Sequence, residues 1–195
     1  MSAILSNSVL ISAASIAFNP LFWNLVARLE YNTSKLTKLF GGAKQGCYVL
    51  GVTIILLGFL RDYLFKSAVA QHSSLPANAS YSSLSSLIAL LLLGVGNILV
   101  ISSTYALGFT GTYLGDYFGI LMSERVVSFP FNLVEHPMYL GSTLNFLGVA
   151  IYYHSPVGLL LTSWVAICYM VASKYEFQFT NMIYSNASKK SPKKD

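Results

Sequence analysis

Residues 107–141 read LGFTGTYLGDYFGILMSERVVSFPFNLVEHPMYLG, a polar, aromatic and glycine-rich stretch lying between two long apolar tracts. It holds three of the chain's seven acidic residues, Asp116, Glu124 and Glu135, together with Arg125 and His136. On either side the charges vanish. No charged side chain lies between Lys66 and Asp116, and none between Glu135 and Lys174. A soluble domain carries about 25% charged residues, whereas this chain of 195 residues has 10% and is 54% hydrophobic. The composition is that of an all-α integral membrane protein, one domain over residues 1–195. The stretch between the tracts is where its chemistry is expected.

Working outward from that stretch gives the spans. Residues 84–107 form the clearest one, with an unbroken apolar run from Leu87 to Leu93. Residues 46–65 give a second of about 20 residues, enough to cross a bilayer, with Arg61 and Asp62 expected at an interface. Residues 1–27 carry no charge, but Asn19-Pro20 interrupts them. Proline costs about 3 kcal/mol inside a helix, so two short helices or a re-entrant element are expected there. Beyond the central stretch, residues 142–153 and 159–173 are apolar, with His154-Ser155-Pro156-Val157-Gly158 as a turn between them. The reading is a bundle of four to five membrane segments ending in a helical hairpin, and residues 185–195 form a basic, disordered tail.

The net charge of +5 is localised. Arg28, Lys35, Lys38 and Lys44 crowd an expected loop over residues 28–46, and four lysines close the chain. Basic clusters beside apolar spans report cytosolic orientation and anionic headgroups, so nucleic acid is not an expected partner. The charge bias puts both clusters and the central stretch in the cytosol and Asn78, in an Asn-Ala-Ser sequon, in the lumen. Cys47 and Cys168 lie in apolar segments without ligand spacing, and no metal site is expected.

Four constellations carry candidate chemistry. Gly94-Val95-Gly96 sits inside a span; small residues there either let helices pack closely or open the backbone to a nucleotide-like group. Glu135-His136-Pro137-Met138-Tyr139-x-Gly141 puts His136 before a proline, on extended backbone, with Pro137 suited to begin a helix. His136 is a candidate proton acceptor or an interfacial histidine on water or phosphate. Glu176 closes the last apolar run, where an ionisable group is either solvated or turned into the bundle as a functional residue. Tyr175, Phe177, Phe179 and Tyr184 around it fit an interfacial belt or a cage for a cation.

Together these segments resemble the phosphatidylethanolamine and phospholipid N-methyltransferase family over nearly the whole chain. The likeness runs through Phe18-Asn19-Pro20-Leu21-Phe22-Trp23-Asn24, the run from Gly108 to Leu121, Phe129-Pro130-Phe131-Asn132, and Pro137-Met138-Tyr139-x-Gly141-Ser142-Thr143. The resemblance implies S-adenosylmethionine as methyl donor and phosphatidylethanolamine or its methylated forms as acceptor. It also implies phosphatidylcholine synthesis in the endoplasmic reticulum membrane, with the mitochondrial membrane as a second location.

In that family a G-x-G in a span and a Glu-Glu pair after the last span hold the donor. Gly94-Val95-Gly96 matches the first. The second is half matched, in Tyr175-Glu176-Phe177-Gln178-Phe179-Thr180, where Phe177 takes the place of the second glutamate. The resemblance thus implies Gly94, Val95, Gly96, Glu176 and Tyr139 at the donor. Arg125 is a candidate partner for the donor carboxylate or the lipid phosphate. His136 is the leading catalytic base, with Asp116 and Glu135 behind it. Residues 136–141 also resemble an element of the isoprenylcysteine carboxyl methyltransferases, which is one alternative function. A lipid-binding scaffold that keeps the fold without catalysis is the other.

Overall fold

A computed structural model describes residues 6–74, 83–124 and 126–190, which leaves Asn78 and Arg125 outside the described residues. The described residues fold as helices α1 (Asn7–Thr33), α2 (Lys35–Leu39), α3 (Ala43–Gln71), α4 (Ser83–Thr112), α5 (Pro137–Tyr152) and α6 (Pro156–Lys190). A 3₁₀ helix, Gly115–Phe118, stands between α4 and α5. α1, α3, α4 and α6 are long and apolar enough to cross a membrane. Their outward faces expose side chains such as Leu56, Leu90 and Ile101, 62–67% accessible, as lipid-facing surfaces must.

Contrary to expectation, Pro20 does not break α1, which runs unbroken through 27 residues. Proline removes one backbone hydrogen bond, but neighbouring helices and polar side chains compensate for this in membrane spans. Here Asn19 and Pro20 are buried, and the bond that is lost is the one the Ile16 carbonyl would have accepted. The basic segment after it is also more helical than a loop. α1 continues to Thr33, Ser34 turns in the left-handed region at φ 52°, and α2 follows. Buried Glu30 organises this corner by accepting the backbone N–H groups of Leu36 at 2.6 Å and Thr37 at 3.2 Å. These are first-turn donors of α2 that have no partner within the helix.

α4 bends at Gly108 (φ 64°, ψ 179°), a conformation open to glycine and rarely to other residues. The bend folds the central stretch back across the end of the bundle. Tyr117 and Phe118 are buried there beside Ala27, Cys47 and Leu50. The 3₁₀ helix therefore plugs the end at which α1 finishes and α3 begins.

The expected hairpin is present in α5 and α6. Its turn is tied to the far end of α3, where Ser155 Oγ donates to the His72 carbonyl at 3.0 Å and Ser73 Oγ to the Tyr153 carbonyl at 2.6 Å. α6 runs on to Lys190, so residues 185–190, expected in a disordered tail, are helical. Around the bundle α4 packs on α5, α5 on α6, α6 on α1 and α1 on α3, while α3 and α4 meet only loosely. The result is an incomplete ring with its gap between α3 and α4.

Candidate functional site

A cavity of about 920 Å³ occupies the middle of this ring. Ile54, Ile55 and Phe59 of α3 and Val100 and Leu107 of α4 line it on the side of the gap. Asp116, Glu135, His136, Tyr139 and Glu176 all contribute to its wall, so five of the sequence-derived candidates converge on one space.

Glu176 is the hub. α6 carries it just beyond the last apolar run, and its carboxylate turns into the bundle. One oxygen accepts Trp23 Nε1–H and, at 3.2 Å, Asn24 Nδ2–H; the other accepts the Tyr139 hydroxyl at 2.6 Å. Three donors from α1 and α5 thus fix a carboxylate of α6. A carboxylate has about four acceptor sites, so Glu176 keeps capacity for a further partner. One turn later Thr180 donates to Asp116 Oδ2 at 2.7 Å, which ties the 3₁₀ helix to the same face of α6. Tyr184, a turn further on, accepts the Met122 backbone N–H at 3.1 Å and anchors the chain leading to the mouth.

His136 is the residue before α5, on non-helical backbone (φ −125°, ψ 67°), and Pro137 is the first helical residue as expected. Its ring stands edge-on to Tyr139 (6.2 Å) and Phe177 (6.4 Å). Phe177 also lines the cavity, so the position that carries glutamate in the resembled family faces this space. Glu135 is exposed at the mouth. Arg125, the remaining charged candidate of the stretch, lies outside the described residues.

Gly94, Val95 and Gly96 are not among the residues lining the cavity. Gly94 faces open space, and Val95 is half exposed. Gly96 is at the crossing of α4 and α5, where an added Cβ would lie 2.6 Å from the Gly141 carbonyl oxygen and 2.3 Å from Asn145 Oδ1. Asn145 lines the cavity. Gly96 therefore bears on the site through α5, by leaving room for Asn145.

Sequence reasoning gave no role to Trp23 and Asn24, although both fall in a segment it quoted, because nothing in a sequence pairs residue 23 with residue 176. It also put Arg61 and Asp62 at an interface. The Arg61 side chain is instead only 12% exposed and turned into the cavity wall, bonded to Asp62 and to the Tyr169 hydroxyl. Charges inside an apolar run of spanning length are the signal that could have flagged the pair.

Comparison with known proteins gives a consistent result. The phospholipid methyltransferase family model matches residues 84–187. A phosphatidyl-N-methylethanolamine N-methyltransferase of Saccharomyces cerevisiae is 51% identical over 174 residues, covering 88% of this chain and 82% of its own. The phosphatidylethanolamine N-methyltransferase of Homo sapiens is 50% identical over 193 residues, covering 97% of this chain and 94% of its own. A Dictyostelium discoideum phosphatidylethanolamine N-methyltransferase A is 44% identical over 186 residues. No solved structure matches.

Proposed function

The chain belongs to the phospholipid methyltransferase family, and we propose that it methylates the amine of ethanolamine phospholipids with S-adenosylmethionine as donor. The observation that carries this reading is the Glu176 carboxylate, held by Trp23, Asn24 and Tyr139 and turned into a polar cavity inside a membrane bundle. A fixed anion beside aromatic rings suits a cationic ligand, and Tyr139 and Phe177 line the cavity with Glu176. These features fit the donor.

When bound, S-adenosylmethionine supplies a methyl carbon whose bond to sulfur breaks, with its electron pair going to sulfur, as the amine nitrogen attacks. The chain's own residues do the rest. Glu176 faces the donor's positive charge, with Tyr139 and Phe177 as ring surfaces around it. The gap between α3 and α4, walled by apolar side chains, admits the acceptor laterally from the bilayer with its acyl chains still in lipid. His136 takes the proton that the amine must lose, since an alkylammonium has a pKa of about 10. Asp116 and Glu135, in the same wall, stand behind His136 in that role. Holding the two reactants in line is worth up to about 7–11 kcal/mol. We assign the protein to the endoplasmic reticulum membrane and to phosphatidylcholine synthesis on the family's general role.

The test is to incubate purified protein with methyl-labelled donor in vesicles of phosphatidylethanolamine, its monomethyl or its dimethyl form. Label is expected in lipid, and His136→Ala should lower its appearance by about 10²-fold or more. Donor binding without label in any of the three lipids would overturn the reading and leave a lipid-binding homologue.

A further inference from the structure

Arg61 is a cation well inside a long apolar helix, and such residues in membrane proteins face a cavity and serve a ligand or pathway. Its guanidinium lies 5.0 Å from the Phe146 ring and 6.0 Å from the Tyr169 ring. Phe146 is ten residues along α5 from His136, so Arg61 stands roughly 15 Å below the mouth of the cavity. Its Nε and Nη2 donate to Asp62 Oδ1 at 3.0 and 2.9 Å, and Nη1 donates to the Tyr169 hydroxyl. Arginine has five N–H donors, so two remain. Asp62 takes those bonds on Oδ1 alone and is 55% exposed. Both residues line the cavity.

A buried donor without a partner costs about 1–3 kcal/mol, and this part of the cavity holds the two unused Arg61 donors beside Asp62. An acyl chain would leave all of them unsatisfied, and a headgroup phosphate belongs at the membrane surface, not half-way into the bundle. The complementary ligand is a small zwitterion, with an oxyanion for the remaining arginine donors and a cation for the aspartate. We propose that Arg61 and Asp62 bind the amino-acid end of the methyl donor, its α-carboxylate on Arg61 and its α-ammonium at Asp62.

The proposal rests on the donor reading above and assigns the donor's orientation within it. Tyr169, which holds Arg61, lies 5.0 Å ring to ring from Tyr139, and Tyr139 donates to Glu176. With the amino-acid end at Arg61, the two tyrosine rings face the sulfonium, and Glu176, which Tyr139 holds, faces it from the same place. One wall thus carries a site for the amino-acid end and then a ring-and-carboxylate surface for the sulfonium, in the order of the donor's own groups.

Titration calorimetry with two ligands tests this without turnover. S-adenosylhomocysteine keeps the amino-acid end, whereas methylthioadenosine lacks it. Arg61→Met and Arg61→Lys should each weaken S-adenosylhomocysteine binding, Met by about a hundredfold on the scale of a lost charge-assisted pair. Methylthioadenosine binding should stay within about twofold of the unaltered protein, which also shows that the variants fold. Asp62→Asn should weaken S-adenosylhomocysteine alone in the same way. Undiminished S-adenosylhomocysteine binding in Arg61→Lys and Arg61→Met, with a raised KM for lipid, would overturn the proposal and move Arg61 to the acceptor. Equal loss of both ligands in Arg61→Lys would overturn it too, as a purely structural role. If the unaltered protein bound neither ligand, the donor reading itself would fall, separately from this one.

Discussion

At Glu176, partners distant in sequence build the site proposed for the donor. Its carboxylate is placed by an indole from α1, a phenol from α5 and an amide from α1, and none of these is charged. The carboxylate is therefore fixed but not neutralised, and its field is left for a ligand. A full charge about 4 Å away in surroundings of effective dielectric about 20 interacts by roughly 4 kcal/mol. Glu176→Gln keeps the shape and removes the charge. It should weaken binding of the cationic donor by about tenfold to a hundredfold and of the uncharged-sulfur product much less. An equal loss for both would move Glu176 from the sulfonium to the amino-acid end. Phe177→Glu adds a carboxylate beside His136, 6.4 Å away by ring centroid in the unaltered protein, and should change donor affinity far less than Glu176→Gln does. Calorimetry on both variants measures all four affinities.

At the scale of the helix, α4 and α5 meet through Gly96 and Gly141, each leaving no room for a Cβ on the other. Gly94, two residues earlier, faces open space. Gly96→Ala should therefore force the helices apart or displace Asn145, costing about 1–3 kcal/mol as overpacking does. Gly94→Ala should leave stability unchanged. Thermal unfolding in detergent, run beside donor titration, separates the two effects: a Gly94→Ala protein of normal stability that binds donor poorly would return both glycines to the donor site. Helices α3, α4 and the α5–α6 hairpin were legible as apolar runs, because a bilayer demands length and apolarity and both are local properties. The continuity of α1 through Pro20 was not, since it depends on burial against helices distant in sequence. The corner at Glu30 was equally hidden: a lone glutamate among lysines gives no sign that it binds backbone N–H groups six and seven residues ahead. Of the candidate site, His136, Tyr139 and Glu176 were legible by resemblance, whereas Trp23, Arg61 and Tyr169 depend on which helices become neighbours.

For the whole molecule the question is which end faces which compartment. Helix parity puts the α1–α3 corner, residues 113–136 and the end of α6 at one end, and the α5–α6 turn is bonded to the C-terminal end of α3 at the other. The first end carries Arg28, Lys35, Lys38, Lys44, Lys189 and Lys190, whereas the described part of the other has no lysine or arginine beyond Lys66. Positive charge near span ends stays cytosolic, so the mouth of the cavity should open to the cytosol. Ser123 is exposed on the chain beside that mouth, next to Glu124. Cys47 is buried and Cys168 half-buried, so replacing both leaves a clean background for a probe at 123. In sealed microsomal vesicles of cytosolic-side-out orientation, Ser123→Cys should react with an impermeant maleimide at once. Reaction only after the membrane is permeabilised would invert the topology, and with it the side to which the cavity opens.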